Sequence, residues 1–144
     1  WAALGTLWLF GNGNNALSAY QSSHSAAYVS GDRYVLTSGP SDTPSYAGVR
    51  TADKVNLTGV ERIDAATDDT PDRYRRLLVS TGTDWQSGVA ASYTRSNTDN
   101  GTAFTLDTSA LSGEYYVHFV IYYLTTPGNT ITNYLYDLKM VYAE

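Results

Sequence analysis

Residues 114–124 read Glu-Tyr-Tyr-Val-His-Phe-Val-Ile-Tyr-Tyr-Leu, bounded by Leu111-Ser112-Gly113 on one side and Pro127-Gly128-Asn129 on the other. Tyr, Val, Phe and Ile suit a pleated, half-buried surface, and Gly, Pro and Asn at the ends favour turns, so the run is a strand. Successive side chains of a strand point to opposite faces, so one parity carries Tyr115, Val117, Phe119, Ile121 and Tyr123. With no polar atom at its centre, that set is the better filling for the space between two sheets. Tyr116, His118, Val120, Tyr122 and Leu124 are left on the outer face.

Working outward from this run, short apolar segments recur between strong turn clusters such as Gly11-Asn12-Gly13-Asn14-Asn15, Asp68-Asp69-Thr70-Pro71-Asp72 and Asn97-Thr98-Asp99-Asn100-Gly101. The strands expected are Leu4 to Phe10, Arg33 to Thr37, Tyr46 to Arg50, Val60 to Ala65, Tyr74 to Ser80, Gly88 to Thr94, Ala103 to Asp107, Glu114 to Leu124 and Thr130 to Tyr142. About nine short strands at this spacing predict an all-β, antiparallel two-sheet sandwich. No stretch holds a helical apolar period for long.

Composition agrees. The chain has 144 residues, including 18 Thr, 14 Ser, 12 Gly and 13 Tyr, but only 3 Glu and 2 Lys, so good helix formers are scarce. This length is expected to form one domain, 1–144. The sequence begins at Trp1 with no initiator Met and is expected to be a fragment or a processed chain. A net charge of -5 with no Lys/Arg run argues against nucleic acid as a partner and against electrostatic membrane binding. The longest apolar run is too short for a membrane-spanning helix. There is no cysteine, hence no disulfide or thiolate chemistry.

Two further patterns predict packing. Val55-Asn56-Leu57-Thr58-Gly59 and Ser109-Ala110-Leu111-Ser112-Gly113 echo one another, each a Leu and a Gly leading into a strand, and are expected to plug and turn the chain at the end of the sandwich. In the last strand Tyr134, Tyr136, Leu138, Met140 and Tyr142 form the expected core parity, leaving Asp137 and Lys139 as a solvated pair outside. Trp1 and Trp8, flanking the first strand, are expected core or interface anchors.

No catalytic residues are expected. Neither His24, in a Ser/Ala loop, nor His118 has a metal-ligand spacing, and Glu61 and Glu114 read as strand-start surface residues rather than an acid pair. Asp68, Asp69 and Asp72, with Thr67 and Thr70, offer the oxygen ligands that calcium takes, but without EF-hand spacing; a solvated turn is the preferred reading and no cofactor is expected. The ligand-binding candidates are Tyr116, His118 and Tyr122 on the outer face, joined by Trp85 in a polar loop. Tyrosine and tryptophan rings suit the apolar face of a sugar while their polar tips meet its hydroxyls. The competing expectation covers this face with a strand, subunit or domain, and folds Trp85 down over the end of the sandwich.

Gly48 to Gly59 (GVRTADKVNLTG), Phe104 to Val117 (FTLDTSALSGEYYV) and Tyr136 to Tyr142 (YDLKMVY) are degenerate strand-and-corner segments arranged in a recognisable order. Together they resemble the jelly-roll β-sandwich modules of phage and prophage tail or fibre proteins of Gram-positive gut bacteria, which are similar to carbohydrate-binding modules. The resemblance covers roughly residues 46 to 144 and implies a non-catalytic module, a fragment of a larger surface or tail protein, that is displayed on a virion tail or cell surface and binds host glycans. It assigns no ligand residue. The alternative is a structural or oligomerisation domain of a fibre, a homo-oligomer and a trimer if fibrous.

Overall fold

The computed structural model describes residues 5–144. Trp1, and Leu4 as the start of the first strand, lie outside the described residues. Among the described residues thirteen strands follow one another: β1 (Thr6–Gly11), β2 (Asn14–Asn15), β3 (Leu17–Gln21), β4 (Ala26–Ser30), β5 (Arg33–Ser38), β6 (Ser45–Thr51) and β7 (Val55–Asn56), then β8 (Val60–Thr67), β9 (Tyr74–Ser80), β10 (Val89–Arg95), β11 (Ala103–Asp107), β12 (Glu114–Tyr123) and β13 (Ile131–Tyr142). All strand pairs are antiparallel. Among the described residues no helix is long and apolar enough to cross a membrane.

The expected all-β sandwich is present, with more strands than the nine expected. Each of the nine segments forms a strand. The additional ones are β3 and β4, built largely from Ser and Ala, and the two-residue bridges β2 and β7. Their pairing partners make them strands: β3 lies along β6 and β4 along β5.

One sheet runs β11-β8-β13, after which the free edge of β13 is shared. Residues Ile131 to Leu135 pair with β5, which carries β4, and residues Leu138 to Val141 pair with β1, which carries β2. The other sheet runs β10-β9-β12-β6-β3, with β7 beside the start of β12. Leu36, Ile63, Leu138 and Met140 from the first sheet meet Val49, Leu77, Phe119 and Ile121 from the second in one core. Full burial of side chains of this size contributes about 1.5–3 kcal/mol each.

Val117, Phe119 and Ile121 face this core as expected, with Tyr115 at its margin. In β13 the expected inward set holds for Leu138 and Met140, with Tyr142 packed at the margin of the core, and fails before them. Leu135 is buried in the core, whereas Tyr134 is half-buried and Tyr136 exposed. Leu135 and Asp137 oppose consecutive residues Thr67 and Ala66 of β8, so Tyr136 is the extra residue of a bulge, and the inward parity changes across it. Trp8 is also not core: it stands beside Lys139, whose Nζ lies 4.8 Å from the centre of its ring.

The echoed corners meet. Leu57 is fully buried, its amide donates to the Gly113 carbonyl at 2.8 Å, and the Gly113 amide donates to Thr58 Oγ1 at 3.0 Å. Gly59 and Gly113 turn the chain with φ of 82° and 89°.

Candidate functional site

The outer face of the second sheet is ordered in rows by strand register. Tyr46, Tyr122 and Tyr74 lie opposite one another on β6, β12 and β9. The Tyr74 and Tyr122 rings stack, with centroids 5.5 Å apart and planes inclined by 22°. Along the next row come Tyr20, Gly48, Val120, Arg76 and Thr94. Gly48 makes room for the ring of Tyr20, since a Cβ there would stand 2.8 Å from it. Arg50, His118, Leu78 and Ser92 form the third.

The connection 81–88 between β9 and β10 folds back across these rows and lays Trp85 on them. The indole is 4% exposed, packs with Leu78 and Val120, and lies 4.7 Å from the Tyr122 ring and 5.7 Å from that of Tyr46. Local bonds shape this loop, with the Gln86 amide and Ser87 hydroxyl donating to the Asp84 carboxylate at 2.9 and 3.0 Å. Trp85 therefore folds down on the sheet face rather than offering a free platform.

His118 points to the outer face, as its parity requires, but it is completely buried there. Its Nε2 lies 3.0 Å from Ser80 Oγ and 3.2 Å from the Gly82 carbonyl, and its Nδ1 lies 3.0 Å from the Tyr20 hydroxyl. A proton on Nε2 meets the carbonyl, leaving Nδ1 to accept from Tyr20, so the neutral ring is satisfied at both nitrogens. Burial pushes the imidazole pKa down to about 4, with the Gly82 carbonyl opposing and Arg50 adding to the depression. Burial likewise raises the Tyr20 hydroxyl far above the usual phenol range. His118 holds this loop to the sheet and is closed to a ligand.

Of the four residues singled out from sequence, Tyr122 and Trp85 come together, and His118 lies beneath the same cover. Tyr116 meets only His118, edge-on with ring centres 6.5 Å apart, and does not reach the Tyr122–Trp85 pair. Six residues of strand, roughly 20 Å, separate it from Tyr122, and its ring lies 5.2 Å from the Arg50 guanidinium carbon and 5.9 Å from Lys54 Nζ. Tyr74, Tyr46, Tyr20 and Arg76 complete the face. Their parity is hidden because β9 runs Leu77-Leu78-Val79, apolar on both sides, and β3 carries no apolar alternation.

The acidic turn is not assembled as a cation site. Asp68 extends the β8–β13 ladder with its side chain: Oδ1 accepts from the Tyr134 amide and Asn133 Nδ2, both at 3.0 Å, and Oδ2 from Thr70 Oγ1 at 2.6 Å. Asp72 accepts from Asn129 Nδ2 at 2.7 Å. Among the described residues no group of three or more acidic or histidine side chains is placed to hold a metal. The cation gathering the loop oxygens here is Arg75, whose guanidinium donates to Thr67 Oγ1 and to the carbonyls of Asp68, Asp99 and Gly101 at 2.7–2.9 Å. His24 is exposed in the β3–β4 loop, paired with Asp42 at 2.7 Å. Glu61 and Glu114 are exposed at the starts of β8 and β12.

This architecture is shared with carbohydrate-binding modules. The family 11 module of the cellulosomal cellulase Lic26A-Cel5E of Clostridium thermocellum superposes with a TM-score of 0.60 at 13% identity, covering 99% of this chain and 97% of that one. CBM86 of Roseburia intestinalis, a low-affinity xylan-binding module, gives 0.59 at 12% identity, covering 88% and 96%. CBM29_1 of Piromyces equi gives 0.57 at 13% identity, covering 94% and 89%. No protein-family model matches the chain, and no curated protein matches it.

Proposed function

We propose that this domain is a non-catalytic glycan-binding module that takes its ligand along the outer face of the second sheet. The observation that carries this is the Tyr46–Tyr122–Tyr74 row, whose Tyr74 and Tyr122 rings are stacked and half-exposed at the edge of the Trp85 cover. Arg76 and the exposed Thr94 stand in the adjacent row and offer donors to sugar hydroxyls. The likeness in fold to carbohydrate-binding modules supports the ligand class. Display on a virion tail or a cell surface is the setting we propose, and its support is the segment resemblance across residues 46–144.

Affinity electrophoresis in gels containing xylan, mixed-linked β-glucan or Gram-positive cell-wall polysaccharide tests the function. Retardation by at least one polymer is expected. Tyr74→Ala, at the margin of the row, should weaken it up to about tenfold, since an aromatic stack contributes about 0.5–1.5 kcal/mol. Unretarded migration in every gel would overturn the proposal.

A further inference from the structure

The first sheet is split. β8 occupies one edge of β13 from Leu135 to Tyr142, so β5 and β1 must share the other edge end to end. The change of partner falls between Leu135, opposite Tyr34, and Leu138, opposite Phe10. Tyr136 and Asp137, at the bulge, have no strand beside them on this edge, and a cleft of about 570 Å³ opens over the seam.

Trp8 and Tyr136 give the cleft apolar walls, and Asn12 and Asn14 of the β1–β2 hairpin and Asp137 belong to its lining. The Asp137 carboxylate receives no hydrogen bond from the described residues, and the ion pair with Lys139 expected from sequence is not formed: Lys139 lies over the Trp8 ring instead. Burial raises the Asp137 pKa, with Lys139 opposing. A half-buried carboxylate with its acceptor sites free is costly until donors arrive. Gly11, with φ of 101°, keeps the space clear, since a Cβ there would stand 2.9 Å from that of Asp137.

We propose that this seam is a second binding site, taking one neutral sugar ring whose adjacent hydroxyls donate to the Asp137 carboxylate while its apolar face lies against Trp8 or Tyr136. The volume suits a small ligand. An anion is disfavoured by Asp137 and by Asp32 at the rim. A cation is disfavoured because Lys139 and Arg33 already lie at 4.8 and 5.4 Å from the Trp8 and Tyr136 ring centres. A hydroxyl-rich neutral ligand meets both the aromatic walls and the unfilled acceptor. The site uses none of the tyrosines of the second sheet.

The test is a titration of the ¹⁵N-labelled chain with xylohexaose, a mixed-linked β-1,3-1,4-glucan tetrasaccharide and β-1,4-galactotriose, each to millimolar concentration. With at least one of them, the amides of Asn12, Gly13 and Asp137 should shift along a saturating curve distinct from that of Val120 and Thr94. Asp137→Asn should weaken the seam event by roughly tenfold or more, the scale of hydrogen bonds to a charged acceptor, and leave the second-sheet event unchanged. Trp8→Ala should do the same. Seam amides that stay still with all three sugars overturn the second site, whatever the other face does. Seam shifts with a silent second sheet support it and overturn the proposed function of that sheet. Seam shifts of undiminished affinity in Asp137→Asn overturn the carboxylate's role and with it the proposal.

Discussion

The two outer faces of the sandwich draw on the same residue types and end in opposite states. On the second sheet Trp85 is buried over a satisfied histidine, with hydrogen-bond partners at both ring nitrogens of His118. On the first, Trp8 flanks a cleft lined by Asp137, whose carboxylate receives no hydrogen bond from the described residues. The connections account for the difference. Residues 81–88, between β9 and β10, are long enough to return across their own sheet, whereas Asn12 and Gly13, between β1 and β2, only reverse the chain. The sheet ladders differ too: β9, β12 and β6 pair continuously in register beneath the cover, while β13 changes partner at the seam. A polar group under a cover must be satisfied by the protein itself, while one at a break can be left for a ligand.

Removing the cover gives the largest expected effect. Trp85→Ala should destabilise the domain by about 3 kcal/mol, towards the lower end for loss of a large buried aromatic, and lower its melting temperature by roughly 10 °C. An unchanged melting curve would mean that the loop does not hold the second sheet closed.

Acidification sharpens the contrast because the two faces respond with opposite sign. His118 in the folded state binds its proton only near pH 4, whereas an unperturbed histidine does so near 6.5. Across that interval the unfolded chain binds more protons, so stability falls as pH is lowered, by up to about 3 kcal/mol at the bottom of the window. Urea unfolding measured between pH 7 and 4 should show this slope, and His118→Gln should flatten it. Asp42, lowered to about 2 by hydrogen bonds from His24, works in a separate window, losing its contribution as pH falls below the ordinary carboxylate range. Asp137 runs the other way: a raised carboxyl pKa makes the folded state bind its proton first, so acid relieves the seam.

Filling the seam should cost less than opening the cover. Gly11→Ala places a Cβ in close contact with Asp137 at a φ that L-residues rarely adopt, and about 1–2 kcal/mol of destabilisation is expected by chemical denaturation. The smallest effect is Asp137→Asn, expected to change stability at neutral pH by no more than about 0.5 kcal/mol, in the stabilising direction. A loss of several kcal/mol on that substitution would show the carboxylate to be a structural partner rather than an open acceptor.

Much of this was legible from residue order. Period-2 patterning and Gly/Asn/Pro punctuation located β5, β6, β8 to β12 and the inward set of β12, because those signals report local conformation and the polarity of a face. β3 and β4 left no such mark. Ser18, Ala19, Ala26 and Ala27 have weak preferences of their own and become strands through their pairing with β6 and β5. The bulge at Tyr136 was equally silent, and it reversed the expected parity at the start of β13. Tyr122 and Trp85 were visible as candidates, but their companion Tyr74 depends on register across three strands, and the partner change that opens the seam depends on register with β5 and β1.

By itself the sequence determined the all-β class, the corner plugs Leu57 and Leu111, and the presence of more tyrosine than one core can bury, since each follows from local propensity and alternation. Tertiary structure alone decided which aromatic is covered, that Arg75 gathers the loop carbonyls beside the Asp68–Asp72 turn, and that Asp137 forms no ion pair with Lys139. Those outcomes turn on how strands far apart in the chain are aligned and on where a loop comes to rest, and neither is encoded in the spacing of neighbouring residues.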